Sequence, residues 1–143
     1  MPIVHFHLIE GGATPEQERR LLLDASRLYA EVLECPIDRV RAFIQPYAPG
    51  RAAVAGEMVS EGAAPAPYFE FLVLEGRPLE QRQRLLTGFT DLLVEILDVE
   101  RSRIRGHCKR VQPEEWSIGG RPAAELRRQD IAAFSRRMQL DEA

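Results

Sequence analysis

Little in this chain could staple it together or hold a metal. Its 143 residues include two cysteines, Cys35 and Cys108, in neither a CxxC nor a zinc-ligand pattern. That excludes a disulfide framework and leaves both thiols to be read as small buried apolar residues. An excess of positive charge is also missing: 19 Lys and Arg stand against 22 Asp and Glu, a net charge of −3. With no basic stripe, nucleic acid is not an expected partner. No stretch stays apolar for the roughly 18 residues a membrane span needs, and the opening MPIVHFHLIEGG has neither the positive start nor the apolar run of a secretory leader. A cytoplasmic protein without membrane attachment is expected. What is present suits one soluble domain, because a chain of 143 residues that is 45% hydrophobic can bury a core unaided.

The chain contains the same unit twice. LIEGGATPEQERRLLLDASRLYAEVLECPIDRVRAFI (8–44) is echoed by VLEGRPLEQRQRLLTGFTDLLVEILDVERSRIRGHC (73–108). Each copy opens with an apolar, β-branched or aromatic run, Ile3 to Ile9 and Tyr68 to Leu74, and turns at Glu-Gly into a segment of helical period. Thr14 is placed to cap the first helix, with Pro15 at its first position and Gln17 three residues after the cap. Leu21, Leu22, Ala25, Leu28, Tyr29 and Val32 form one apolar stripe, and Leu85, Leu86, Phe89, Leu93 and Ile96 the other. A second extended run follows each helix, Val40 to Ile44 and Ile104 to Val111. Each copy is thus a β-α-β unit with parallel strands, and two units can pair into one four-stranded sheet with both helices on one face, an α+β fold.

A single domain is expected over 1–143: repeat one at about 2–48, a Gly-, Ala- and Pro-rich linker at about 49–66 with at most a short strand, repeat two at about 67–128, and a tail at 129–143. From Pro122 onward the sequence looks helical and charged, suited to wrapping over a neighbouring surface.

A unit that begins Met-Pro, reads Leu-Glu-Gly-Arg at its first turn and ends with an aromatic residue before Ile-Gly-Gly resembles 4-oxalocrotonate tautomerase. That family uses an amino-terminal proline as acid and base, an arginine ten residues on, a second arginine near the last strand, and an aromatic wall. Counting from Pro67, Arg77 lies ten residues on, Arg105 thirty-eight and Trp116 forty-nine, followed by Ser117-Ile118-Gly119-Gly120 and later Arg127-Arg128. In the first copy Pro2 can be a true terminus, but Gly12 and Ala52 occupy the arginine and aromatic positions, while Arg41 keeps the second arginine. Pro67 is an internal amide without a basic lone pair. The resemblance covers nearly the whole chain apart from the linker and the last dozen or so residues, and implies a tautomerase/MIF-like fold in which the two copies divide the labour.

The chemistry so implied is proton transfer through an enol or dienol, which needs a base that is neutral at working pH and then serves as an acid. An unperturbed α-amine titrates at about 7.7–8.0, and lowering that by one unit costs about 1.4 kcal/mol, within reach of apolar burial and a nearby guanidinium. The resemblance assigns catalysis to Pro2 and Arg77 and substrate binding to Arg41 or Arg105 together with Trp116, because a planar guanidinium binds a carboxylate in bidentate fashion. No cofactor is implied. His5 and His7 share a strand face, but two ligands do not make a metal site.

Two-unit relatives include cis-3-chloroacrylic acid dehalogenase and malonate semialdehyde decarboxylase. Against the dehalogenase pattern, Leu74 replaces an arginine, Tyr29 a histidine, His107 a tyrosine and Ile118 a glutamate, with Glu114 and Glu115 near that last position. Asp38 falls near the decarboxylase aspartate. Tyr29, His107 and Asp38 are therefore further site candidates. The leading expectation is a keto–enol tautomerase of small carboxylated enols and 2-oxo acids. The alternatives are a hydratase, dehalogenase or decarboxylase acting on a three-carbon acid, or a non-catalytic assembly or binding protein if a retained Met1 makes Pro2 an amide. A sheet with one bare face predicts self-association, and six units arranged as in the short-subunit relatives would make a homotrimer.

Overall fold

Local chemistry sets where the first helix begins. In the computed structural model, which describes residues 2–142 without the side chains of Phe134 and residues 137–142, α1 spans Pro15–Leu33. Thr14 and Gln17 form a reciprocal capping box: the Gln17 N–H donates to Thr14 Oγ1 at 3.1 Å and the Thr14 N–H to Gln17 Oε1 at 2.9 Å. The fate of Met1 lies outside the described residues.

The first unit runs β1 (Ile3–Ile9), α1, β2 (Arg41–Tyr47), then two short strands, β3 (Ala53–Val54) and β4 (Glu57–Met58). The second runs β5 (Tyr68–Leu74), α2 (Leu79–Leu97), β6 (Arg105–Val111), β7 (Ser117–Ile118) and β8 (Arg121–Pro122), and the chain ends in α3 (Ala123–Leu126) and α4 (Arg128–Glu142). The four long strands form one sheet in the order β2-β1-β5-β6. β1 and β2 are parallel, as are β5 and β6, while the two units join through antiparallel β1 and β5, with Val4 opposite Phe71 and His7 opposite Tyr68. The fold is the expected α+β arrangement.

Alternation divides the sheet. Val4, Phe6 and Leu8 of β1 and Phe69, Phe71 and Val73 of β5 are buried toward the helices, where Leu21, Ala25, Tyr29, Leu85, Phe89 and Leu93 meet them. Phe89 lies edge-on to Phe6, Tyr29, Phe69 and Phe71 at centroid distances of 5.2–5.8 Å, a geometry that adds to the roughly 1.5–3 kcal/mol each large apolar side chain gains by burial. Gly106 of β6 sits opposite Phe69, and a Cβ there would collide with that ring. The opposite face lacks helices and leaves Phe43 48% and Tyr47 37% exposed.

Residues 49–66 hold more structure than composition suggests. β3 and β4 pair as a hairpin, as β7 and β8 do in the second unit. Its turn uses Ala55 and Gly56 at φ 54° and 80°, where the second unit uses Gly119 and Gly120 at 58° and 86°. Both central residues are left-handed, the geometry two-residue hairpins require, and an alanine there hides the turn from a reading based on glycine pairs.

Candidate active site

The antiparallel junction of the two repeats brings the start of β1 beside the end of β5. Pro2 is buried there, its carbonyl accepting the Arg41 N–H at 2.8 Å. It lines a small cavity of about 20 Å³ together with Val73 and Leu74 from β5, Leu33 and Cys35 from the end of α1, and four charged residues: Arg39, Arg77, Arg127 and Asp130. Pro2 and Arg77, ten residues into the other repeat's pattern, thus share one cavity within one chain. Arg77 Nη1 donates to the Leu33 carbonyl at 2.8 Å and lies 3.4 Å from Gln81 Oε1, which holds the guanidinium against the last turn of α1.

Arg39 and Arg127 complete the cationic lining. Arg39 comes from the one-turn helix Ile37–Arg39 before β2, and Arg127 from the junction of α3 and α4. Arg39 Nη1 is 3.3 Å from Asp130 Oδ2, so α4 lies over the cavity and seats a carboxylate on one of its arginines. Among the described residues, the lining thus holds three guanidiniums and one carboxylate. Cys35 shows what this environment does to a titrating group: burial pushes its thiol up, while Arg77 and then Arg39 pull it the other way. The family pattern did not single out Arg39, which lies two residues before the matched Arg41; Arg127 was noted only as part of a terminal pair.

The side chains of the other candidates lie outside this cavity in the single chain. Arg41 and Arg105 occupy equivalent places on the helix-free face. Arg41 Nη1 donates to the Asp38 and Val40 carbonyls at 2.8 and 3.3 Å, and Arg105 Nη1 to those of Ser102 and Ile104 at 2.7 and 3.2 Å. Arg105 donates its backbone N–H to Pro67. Because β1 and β5 are antiparallel, that puts it at the end of the sheet away from Pro2. Trp116 packs with Ile118 on Leu74 and Ala123, behind the leucine that lines the cavity. Tyr29 is a core residue, fully buried, whose hydroxyl donates to the Leu72 carbonyl; burial holds its phenol well above the ordinary range. His107 is exposed on the helix-free face opposite Glu70, and Asp38 is exposed in the turn before Arg39. Arg41 thus meets Pro2 through its backbone N–H, but within a single chain Arg41, Arg105, Tyr29, His107 and Asp38 are not among the residues lining the Pro2 cavity.

With this geometry in view, likeness to known proteins is informative. The family model described as "Tautomerase enzyme" matches twice, over residues 2–62 and 67–125. The 2-hydroxymuconate tautomerase of Pseudomonas sp. (strain CF600) is 29% identical over 62 residues, covering 43% of this chain and 98% of that protein. Among solved structures, a native fused 4-OT superposes with a TM-score of 0.80 at 21% identity, and Pt0534 inactivated by 2-oxo-3-pentynoate with 0.79 at 22%, each over 87% of this chain and 98% of the other. A fused 4-OT described as an asymmetric trimer gives 0.78 at 18% identity over the same shares. At these identities the structural likeness concerns the fold. Among the described residues, no helix is long and apolar enough to cross a membrane.

Proposed function

The chain belongs to the tautomerase family, and from that premise we propose that it is a keto–enol tautomerase of small carboxylated enols and 2-oxo acids that uses the free amine of Pro2 once Met1 is removed. The observation that carries the reading is the shared cavity of Pro2 and Arg77, whose lining holds three arginines and one carboxylate. Burial and guanidinium charge both disfavour an ammonium there, so the amine would be neutral near pH 7 and able to act as a base.

In the proposed step Pro2 nitrogen takes the enol O–H proton as the carbonyl forms. The displaced π electrons go to carbon, and the resulting ammonium returns a proton to that carbon. Arg77 would donate to the oxygen on which charge develops, and a second guanidinium would bind the carboxylate. The test is ketonisation of phenylenolpyruvate or 2-hydroxymuconate by purified Met1-free protein; no rate above the uncatalysed one would reject the proposal.

A cavity of about 20 Å³ has room for about one water, so substrate entry requires α4 to lift and the substrate carboxylate to replace Asp130 on Arg39. Asp130→Asn, which weakens that internal competitor, should lower KM by up to about fivefold with kcat nearly unchanged, since a partly exposed ion pair is worth up to about 1 kcal/mol. An unaltered KM in steady-state assays would remove Asp130 from the entry step.

Assembly follows the same reading. Phe43 on the helix-free face and the trimeric fused 4-OT relative support a homotrimer, in which Arg41, Arg105 or Trp116 of a neighbouring copy would reach a Pro2 cavity. Sedimentation equilibrium should return three times the chain mass, and a monomer would count against this packing.

A further inference from the structure

We infer that the repeat built on Pro67 carries a second ligand site, for a small planar carboxylate such as an aromatic acid, formed by Arg51 and the His7, Tyr47 and Tyr68 rings. Pro67 cannot supply an amine, yet beside it lies a cavity of about 410 Å³, within the size of small-molecule pockets and far larger than the one at Pro2. The difference has a residue-level cause. Ala52, which lines this cavity, stands where the second repeat places Trp116, and Gly12, which lines an adjoining space of about 360 Å³, stands where it places Arg77.

The lining points to a ligand of one chemical kind. Arg51 is its single formally charged residue, and the Arg51 side chain makes no hydrogen bond or ion pair with another described residue. Leu8, Ile9 and Val54 supply apolar wall. The aromatic part is held in place: His7 stacks on Tyr47 and Tyr68 at 5.7 and 5.1 Å, each at 27°. His7 Nδ1 is 2.6 Å from the Tyr47 hydroxyl, and Nε2 is 3.3 Å from Glu70 Oε1. Glu70 also accepts from Tyr68 at 3.2 Å and pairs with Lys109 at 2.9 Å. With the Lys109 bond its largest cause and burial opposing, the Glu70 carboxyl is lowered to about 2 and stays ionised. An ionised Glu70 only accepts, so His7 presents Nε2–H to it, while Nδ1 and the Tyr47 hydroxyl share the second bond. Neither ring is then free to turn, and a guanidinium with no partner among the described residues, beside preorganised aromatic faces, suits a flat body ending in one carboxylate.

The probe is benzoate, titrated calorimetrically into the full chain and into Arg51→Ala, Ala52→Trp and Arg77→Ala proteins. A benzoate site should weaken at least about tenfold on loss of the charge-assisted pair in Arg51→Ala, close in Ala52→Trp, and persist in Arg77→Ala. Turnover at Pro2 should be unchanged in Arg51→Ala. Arg51 and Ala52 border an exposed turn; should the tryptophan variant misfold, Arg51→Ala decides alone. No benzoate binding by the wild type, binding indifferent to Arg51→Ala, or binding abolished by Arg77→Ala would each overturn the site.

Discussion

Replacing Arg77 by alanine should cut kcat/KM for an enol acid by at least about a hundredfold, the usual cost of removing a donor aimed at a developing oxyanion. Pro2→Ala should do comparable damage, because it removes the rigid secondary amine while leaving a primary one. Arg77 also grips the Leu33 carbonyl at 2.8 Å, so its loss will cost about 1–3 kcal/mol of stability as well. Thermal unfolding of each variant separates the two effects: a folded Arg77→Ala protein with a collapsed rate locates the loss in catalysis. Arg77→Lys keeps the charge without the planar fork and should recover only part of the rate. For the wild type, kcat/KM should fall as pH is lowered through the ionisation of the amine, because burial and the neighbouring guanidiniums disfavour the ammonium form. Wild-type rates in both alanine variants would reject the catalytic assignment.

Inserting one alanine between Met1 and Pro2 should bring activity down to the uncatalysed level. The inserted residue acylates Pro2, and an amide nitrogen shares its lone pair with the carbonyl. The same change separates an enzyme from an assembly protein that keeps only the fold. A free secondary amine adds across the conjugated triple bond of 2-oxo-3-pentynoate, forming one C–N bond and passing its proton to carbon, so the wild-type amino-terminal peptide should gain the mass of one whole reagent. The extended protein should gain none. Equal labelling of both by mass spectrometry would show that the reactive group is not Pro2.

These expectations rest on features legible to different degrees in the chain. Strand-helix-strand units, the Thr14 capping box and the two apolar stripes could be read directly, since each depends on residues a few positions apart. The β3–β4 hairpin was hidden because Ala55 takes a left-handed conformation that glycine would have announced. The Pro2 and Arg77 pattern was visible through the repeat, whereas Arg39 carried no signal beyond its closeness to Arg41, and Asp130 none at all.

Repetition and local periodicity in the amino-acid order were enough to determine two β-α-β units and their helix-facing residues, and the resemblance to the tautomerase family pointed to Pro2. Which arginines surround that proline, that α4 lays Asp130 across them, and that a roomy cavity opens beside Pro67 were decided only by the antiparallel joining of β1 to β5. That joining opposes residues more than sixty positions apart, and such contacts are set by packing across the finished sheet, which no short stretch of sequence encodes.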